Sequence, residues 1–433
     1  MYKKKSKRKR TYKLSFKDRV KLRTKKVYNA LFEEIDDNVN SSFTIFEVML
    51  IIVISIVFGM VVGYLVTYHK YQIGDSAKVA EIIRTYEEIK NEYNDDVSDD
   101  DLANAAIKGM VSVLNDPYSS YMDSKTSEAF NEIVDGEFVG IGVSIIFDTE
   151  ANYNRVYSVY DSSPAKKVGM QEGDLIIEVN GVDVAGKMGD DMTSLIKGKE
   201  GSEVELTIKR GEELIKFTLK RSSIELKSVS DDVMDYEGSN IGYIRITSFA
   251  ANTFSQFKKS LKSVEDKKID GLVLDLRDNP GGHLEQAREM LELFFKKKVV
   301  LYQTEEKGKK TKILSTTKES RDYPVVILVN HGSASASEVM AASFKDNYKK
   351  VKIVGLSTYG KGTIQKSTNL STGSSIKYTT QKWLTPKGKW LDGKGIEPDV
   401  VVDLNEEFYN NPIVENDPQI KEALKTIKES YLS

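Results

Sequence analysis

Val325-Val-Ile-Leu-Val-Asn330-His-Gly-Ser-Ala-Ser335-Ala-Ser-Glu-Val-Met340-Ala-Ala-Ser-Phe344 changes character midway. Residues 325–329 are an unbroken apolar run, the pattern of a strand buried on both faces. A turn of small residues follows, and residues 338–346 have the composition of a helix. A strand that passes through such a turn can hold a hydroxyl at a helix N-terminus, where free N–H groups and the helix dipole favour a developing oxyanion. A plainer reading fits equally: Ser335-Ala-Ser-Glu338 has the spacing of a capping box, with Ser335 as N-cap and Glu338 reaching back.

Downstream, Tyr359-Gly-Lys361-Gly-Thr-Ile-Gln365 sets a lysine between two glycines. A lysine acts as general base only when neutral, and burial disfavours its ammonium. Were a strand to begin near Lys361, the two-residue alternation would bring Gln365 to the same face. A surface Gly-Lys-Gly turn is the alternative. Upstream, Gly271-Leu-Val-Leu-Asp275-Leu-Arg277-Asp-Asn-Pro280-Gly281-Gly282-His283 ends an apolar strand in a Pro-Gly-Gly turn before a helix over 284–295. Backbone N–H groups at Gly281 and Gly282 can supply half of an oxyanion hole, or the segment is an ordinary strand-to-helix connection.

The three pieces, in this order, resemble the carboxyl-terminal processing (tail-specific) serine peptidases. The carriers are DLRDNPGG, GSASASE and YGKGTIQ. WLTPKGKWLDGKGIEPDVVV (383–402) and GMVSVLNDPYSSYM (109–122) resemble that family as well. The resemblance implies that Ser335 is the nucleophile, Lys361 its base and Gln365 the residue that positions the lysine. It implies oxyanion donors at the Ala336 amide and in the Pro-Gly-Gly turn, at Gly281 foremost and Gly282 beside it. It also implies an α/β peptidase core similar to the crotonase and Clp protease type, without metal or other cofactor.

The rest of the chain is consistent with an exported enzyme. It has 433 residues, 40% hydrophobic and 30% charged, enough for several domains. It has no cysteine, which excludes disulfides, thiolate catalysis and cysteine-bound zinc. H-E-x-x-H and Walker-type motifs are absent, so metal hydrolysis and ATP chemistry are not expected. His331 lies four residues before Ser335, but no motif supplies the acid of a triad. The net charge of −2 hides an asymmetry: residues 1–26 carry 14 Lys and Arg against Asp18. A block of this kind can bind nucleic acid, but its neighbour explains it better. Residues 48–66 are uncharged and rich in Ile, Val and Leu, the length a bilayer needs. They lie too far from the N-terminus, and run too long, for a cleaved signal peptide. The expectation is a single-pass anchor over 43–68 in a bacterial cell membrane. The basic segment 1–42 is then cytoplasmic and the catalytic part extracytoplasmic.

Helical periodicity over 78–93 and 102–114 marks a helical segment, 69–134, with Asp99 or Asp100 as the cap of its second helix. Strands over 138–146, 154–160, 175–179 and 204–210 follow, with a short helix over 190–197. The Ser163-Pro-Ala, Gly173-Asp and Asn180-Gly turns make residues 135–222 resemble a PDZ domain. That resemblance places Gly140, Ile141, Gly142 and Val143 as the loop that binds a C-terminal carboxylate. Val143, Met192 and Ile196 line its apolar pocket, and the bound tail adds as an edge strand. From 223 to 402, strands over 241–246, 271–276, 324–329 and 351–355 alternate with helices, which argues for an α/β core. Residues 305–321 read as an exposed loop. The tail 403–433 contains a helix over 417–432, a packing or oligomer contact. The partners expected are protein substrates held by their C-termini and the membrane, with no nucleic acid. The rival reading is a cell-surface PDZ scaffold without catalysis, although such a protein would be expected to lose Ser335, Lys361 or Gln365.

Overall fold

The computed structural model describes Lys21, residues 45–70 and residues 77–432. The basic arm 1–42 lies outside the described residues apart from Lys21. The chain divides into two units, residues 1–98 and 99–433.

In the first unit, α1 (Ile45–Lys70) is one helix of 26 residues. Its side chains are described from Met49 to Leu65, and all of them are exposed. Among the described residues no helix is long and apolar enough to cross a membrane, so the structure does not support the span expected over 43–68. Helix α2 (Ala77–Glu92) forms where the periodicity placed it but buries no residue.

The second unit begins with α3 (Asp99–Ser112). Asp99 and Asp100 lie inside its first turn rather than at a cap, where their charge complements the helix dipole. Strand β1 (Ser120–Met122) and α4 (Ser124–Asp135) follow. Asp123 caps α4 by accepting the Thr126 N–H at 2.8 Å.

The PDZ-like module is bounded by a ribbon in which β2 (Glu137–Gly140) pairs antiparallel with β9 (Ser222–Glu225). The single strand expected over 138–146 is therefore two, because Gly142 turns the chain at φ 81° before β3 (Val143–Asp148). Between them lie β4 (Tyr153–Val159), α5 (Pro164–Lys167), β5 (Leu175–Val179), β6 (Val182–Asp183), α6 (Gly189–Ile196), β7 (Glu203–Arg210) and β8 (Glu213–Lys220). The sheet order is β3-β4-β5-β7-β8, which leaves β3 on an edge. The groove helix α6 is tied to α4 by Lys125–Asp190 and by Lys197–Glu132 at 2.8 Å.

The core sheet runs β10 (Val229–Tyr236), β11 (Ser239–Ile246), β12 (Gly271–Asp275), β15 (Val325–Val329), β16 (Val351–Gly355) and β19 (Val400–Val401). Only the β10–β11 pair is antiparallel. Every residue of β12 and β15 is buried, as continuous apolar runs in a covered parallel sheet should be. Alternate side chains face opposite layers. Val325, Ile327 and Val329 join the cluster of α7 (Thr253–Glu265), α8 (Leu284–Glu292) and α9 (Ala336–Asn347), which includes Phe257, Met290 and Phe344. Val326 and Leu328 meet Ile420, Ala423 and Ile427 of α11 (Pro418–Ile427), which follows α10 (Glu406–Asn410). The terminal helix is thus one wall of the core.

A second sheet runs β1-β18-β13-β14, with β17 (Thr363–Asn369) on β18 (Ser375–Leu384). The stretch read as an exposed loop holds much of a hairpin. Strand β13 (Val300–Glu306) returns as β14 (Lys309–Leu314) through Lys307 (φ 48°) and Gly308 (φ 82°), the two positive φ values of a tight hairpin turn.

Candidate active site

Ser335 lies at the C-terminal end of the central strands, just ahead of α9. Its backbone is at φ 55°, ψ −112°, a conformation that L residues rarely hold without outside support. The support is the Ser335 N–H, which donates to Glu338 Oε2 at 2.8 Å. Ser335 and Glu338 form a capping box, with the serine side chain facing the Glu338 N–H, but the Ser335 hydroxyl donates to no group among the described residues. The positive φ departs from the extended backbone of an ordinary N-cap.

The neighbouring serines are committed elsewhere. Ser333 Oγ donates to the Leu276 carbonyl at 2.8 Å, and Ser337 Oγ donates to the Asn279 carbonyl at 2.9 Å. Both serines are fully buried, whereas Ser335 is half-buried. The DLRDNPGG segment therefore holds the turn by its outer serines and leaves the middle hydroxyl accessible.

Glu338 does more than cap. Its carboxylate is fully buried. Oε2 also accepts the Lys361 N–H at 2.9 Å, while Oε1 accepts the Gly360 N–H at 2.7 Å and the Thr358 hydroxyl at 2.6 Å. One side chain thus fixes the serine turn to the lysine turn. The S-x-x-E spacing shows the first of these bonds; nothing in the sequence shows the other three.

The lysine turn is clamped from its other side. Trp383 Nε1 donates to the Lys361 carbonyl at 2.6 Å and Trp390 Nε1 to the Gly362 carbonyl at 3.0 Å. A Cβ at Gly362 would stand 2.5 Å from Trp390 Nε1, so glycine is required there. The Lys361 ammonium makes no hydrogen bond or ion pair among the described residues; its Nζ lies 5.0 Å from the centroid of the Tyr118 ring. Burial, helped by the charge of Lys377, holds its pKa below the ordinary lysine value, against the pull of Asp116 and Glu338.

Gln365 makes no hydrogen bond to Lys361 among the described residues. Strand β17 starts at Thr363 and shifts register between Ile364 and Gln365, so the alternation expected from a strand beginning at Lys361 is broken. Gln365 Nε2 instead donates to Thr363 Oγ1 at 2.9 Å and Thr379 Oγ1 at 3.0 Å.

Gly281 and Gly282 lie against this turn at φ 100° and 142°. A Cβ at Gly281 would stand 2.8 Å from Ser335 Cβ, and one at Gly282 would stand 2.3 Å from the Phe249 carbonyl oxygen. The Gly281 amide, the donor first expected, is already committed to Asn279 Oδ1 at 2.9 Å. The Ala336 and Gly282 N–H groups have no hydrogen-bond partner among the described residues. His331 is exposed and without a carboxylate partner among the described residues. No group of His, Asp and Glu there could hold a metal ion.

In the PDZ-like module the Ile141 and Gly142 carbonyls are taken by the Ala165 and Tyr160 N–H groups at 2.9 and 3.0 Å. Their own N–H groups, between Gly140 and Val143, have no partner among the described residues. Met192 and Ile196 are buried in the domain's own core with Val143 packed against it. A Cβ at Gly142 would stand 2.2 Å from Ser163 Cβ. A substitution there would disturb the domain itself, and not merely an incoming tail.

The core sheet thus presents a strained serine at a helix N-terminus, with the turn of the half-buried Lys361 tied to it through Glu338. Residues 240–402 match peptidase family S41, residues 64–126 the activating protease CtpB N-terminal domain, and residues 155–210 the PDZ domain. The chain is 39% identical over 347 residues to the carboxy-terminal processing protease CtpB of Bacillus subtilis, covering 79% of this chain and 71% of that one. It is 39% identical over 333 residues to CtpA of the same organism (76% and 70%). To a probable CtpA-like serine protease of Staphylococcus epidermidis it is 41% identical over 345 residues (78% and 68%). The chain belongs to the S41 family of carboxy-terminal processing serine proteases.

Proposed function

We propose that this peptidase is a membrane-anchored endopeptidase that selects proteins by their C-termini and cuts them with a Ser335–Lys361 dyad. One observation carries the dyad. Ser335 is the serine of its triplet whose hydroxyl donates to no group among the described residues, and Glu338 binds its backbone to that of the half-buried Lys361.

In the reaction, neutral Lys361 takes the Ser335 proton while Oγ attacks the scissile carbonyl carbon. The oxyanion is held by the Ala336 and Gly282 N–H groups at the positive end of α9. Lys361 returns its proton to the leaving amine, and a water activated by the same lysine hydrolyses the acyl-enzyme. Gln365 acts on Lys361 indirectly, through Thr379 and its surroundings.

Substrate choice falls to the PDZ groove. The Ile141 and Gly142 amides bind the terminal carboxylate, and the tail pairs with edge strand β3 above Met192 and Ile196. The anchor is the uncharged, apolar run 48–66, which has the length a bilayer needs. The basic arm stays cytoplasmic, and everything beyond residue 70 faces outward.

The test uses the full-length chain in detergent with an unstructured protein ending in an apolar residue. Fragment masses should report endoproteolysis by the wild type and none by Lys361→Ala. Equal fragmentation by both would sink the dyad. Protease added to intact cells should reach the catalytic part and spare the basic arm, and the reverse result would sink the orientation.

A further inference from the structure

The segment Asn115-Asp116-Pro117-Tyr118-Ser119, far from the serine and lysine in sequence, runs along the lysine. Tyr118 presents its ring to Lys361 Nζ at 5.0 Å. Asp116 is fixed by three bonds: it accepts the Ser119 hydroxyl at 2.5 Å, the Thr379 hydroxyl at 2.6 Å and the Tyr118 N–H at 3.1 Å. Thr379 in turn accepts from Gln365. Gln365 is thereby joined to the carboxylate rather than to the lysine.

We propose that Asp116 and Tyr118 are positioning residues for Lys361, forming a carboxylate-and-aromatic station that receives the ammonium between turnovers and releases the neutral amine toward Ser335. The reading rests on the dyad proposed above.

Both attractions need a charged lysine, because a ring face and a carboxylate attract the cation and not the free amine. Loss of the proton therefore weakens the hold at the moment the amine is needed as a base. The station keeps its own charge state throughout. Burial works to raise the Asp116 pKa, but the Ser119, Thr379 and Tyr118 hydrogen bonds and the Lys361 charge outweigh it, and the group stays a carboxylate. Burial, with Tyr359, Asp392 and Glu338 nearby, pushes Tyr118 up to about 12, so its ring stays neutral. The other groups facing Lys361 are Glu338 on α9 and Lys377 on β18; neither changes in the variants below.

The test is the pH dependence of kcat/KM for the full-length chain in detergent, with one unfolded protein substrate. Asp116→Asn and Tyr118→Leu remove parts that stabilise the ammonium. Each should move the acidic limb to lower pH, by about one unit for the charge. Activity on that limb would then rise about tenfold. Asp116→Glu and Tyr118→Phe should keep the wild-type limb. A loss of activity at every pH with the limb unmoved would mean a merely structural role and would overturn the proposal. Should Asp116→Asn not fold, the Tyr118 pair decides alone. Lys361→Ala separates the two readings: if it matches the wild type, the dyad fails; if it is inactive while the limbs coincide, only the station fails.

Discussion

Arg277 and Asp417, 140 residues apart in the chain, form a buried ion pair at 2.7 Å. The same guanidinium binds Asp275 at 2.6 Å and Gln419 at 2.8 Å. It ties the segment leading to the Pro-Gly-Gly turn to the start of α11. Removing Asp417 leaves the guanidinium paired with Asp275 but deletes a buried charge-assisted hydrogen bond, at a cost of about 1.5–3 kcal/mol. Asp417→Ala should lower unfolding stability by about that amount, read as an earlier midpoint in urea with an unchanged slope. An unchanged midpoint would show that the pair contributes nothing.

The serine triplet makes a sharper test of chemistry. Ser335→Ala removes the accessible hydroxyl and should abolish cleavage with the melting temperature preserved. Ser333→Ala and Ser337→Ala each delete a buried hydrogen bond to a carbonyl, at about 1–3 kcal/mol of stability, and should retain substantial turnover at low temperature. Activity in Ser335→Ala and none in Ser337→Ala would reverse the assignment of the nucleophile.

Lys361 gives a pH prediction with a fixed sign. Its pKa lies below the ordinary lysine value, first through burial and then through Lys377. The base is the neutral form, so kcat/KM should rise with pH through that lowered pKa and fall below it. Lys377→Gln removes a neighbouring positive charge, so the Lys361 pKa should rise and the acidic limb move to higher pH. A limb that moves the other way, or stays, would show that Lys377 does not act on Lys361.

The PDZ groove is tested on the substrate, because a side chain at Gly142 would strike Ser163. An amidated tail removes the charge that the Ile141 and Gly142 amides are expected to bind. It should weaken binding by about 1.5–3 kcal/mol, the range for a hydrogen bond to a charged group. Cleavage of a protein should slow about tenfold or more, while short peptides that enter the active site directly keep their rate. Equal protein rates with free and amidated tails would remove tail selection from this domain.

Much of this architecture is legible in the sequence, for reasons particular to each part. Buried parallel strands such as Val325–Val329 are uniformly apolar, and α9 has a clear start. The hairpin Val300–Leu314 escapes because its outer strand is half lysine and almost wholly exposed, the composition of a loop. Only the Lys307-Gly308 turn betrays it. The register shift before Gln365 is an irregularity that periodicity cannot show. The bond of the Gly281 amide to Asn279 is local, two residues back in the same turn, but the approach of Tyr118 to Lys361 depends on distant segments brought together by folding. Residue type alone carries no trace of them.

The four hydrogen bonds that converge on Glu338 have a consequence for the timing of proteolytic power. The nucleophile's turn and the base's turn hang from one oxygen pair, so neither acquires its working shape ahead of the other. A nascent or partly opened chain therefore carries a serine and a lysine but no cutting centre. Both turns take their shape only once they have closed around that carboxylate.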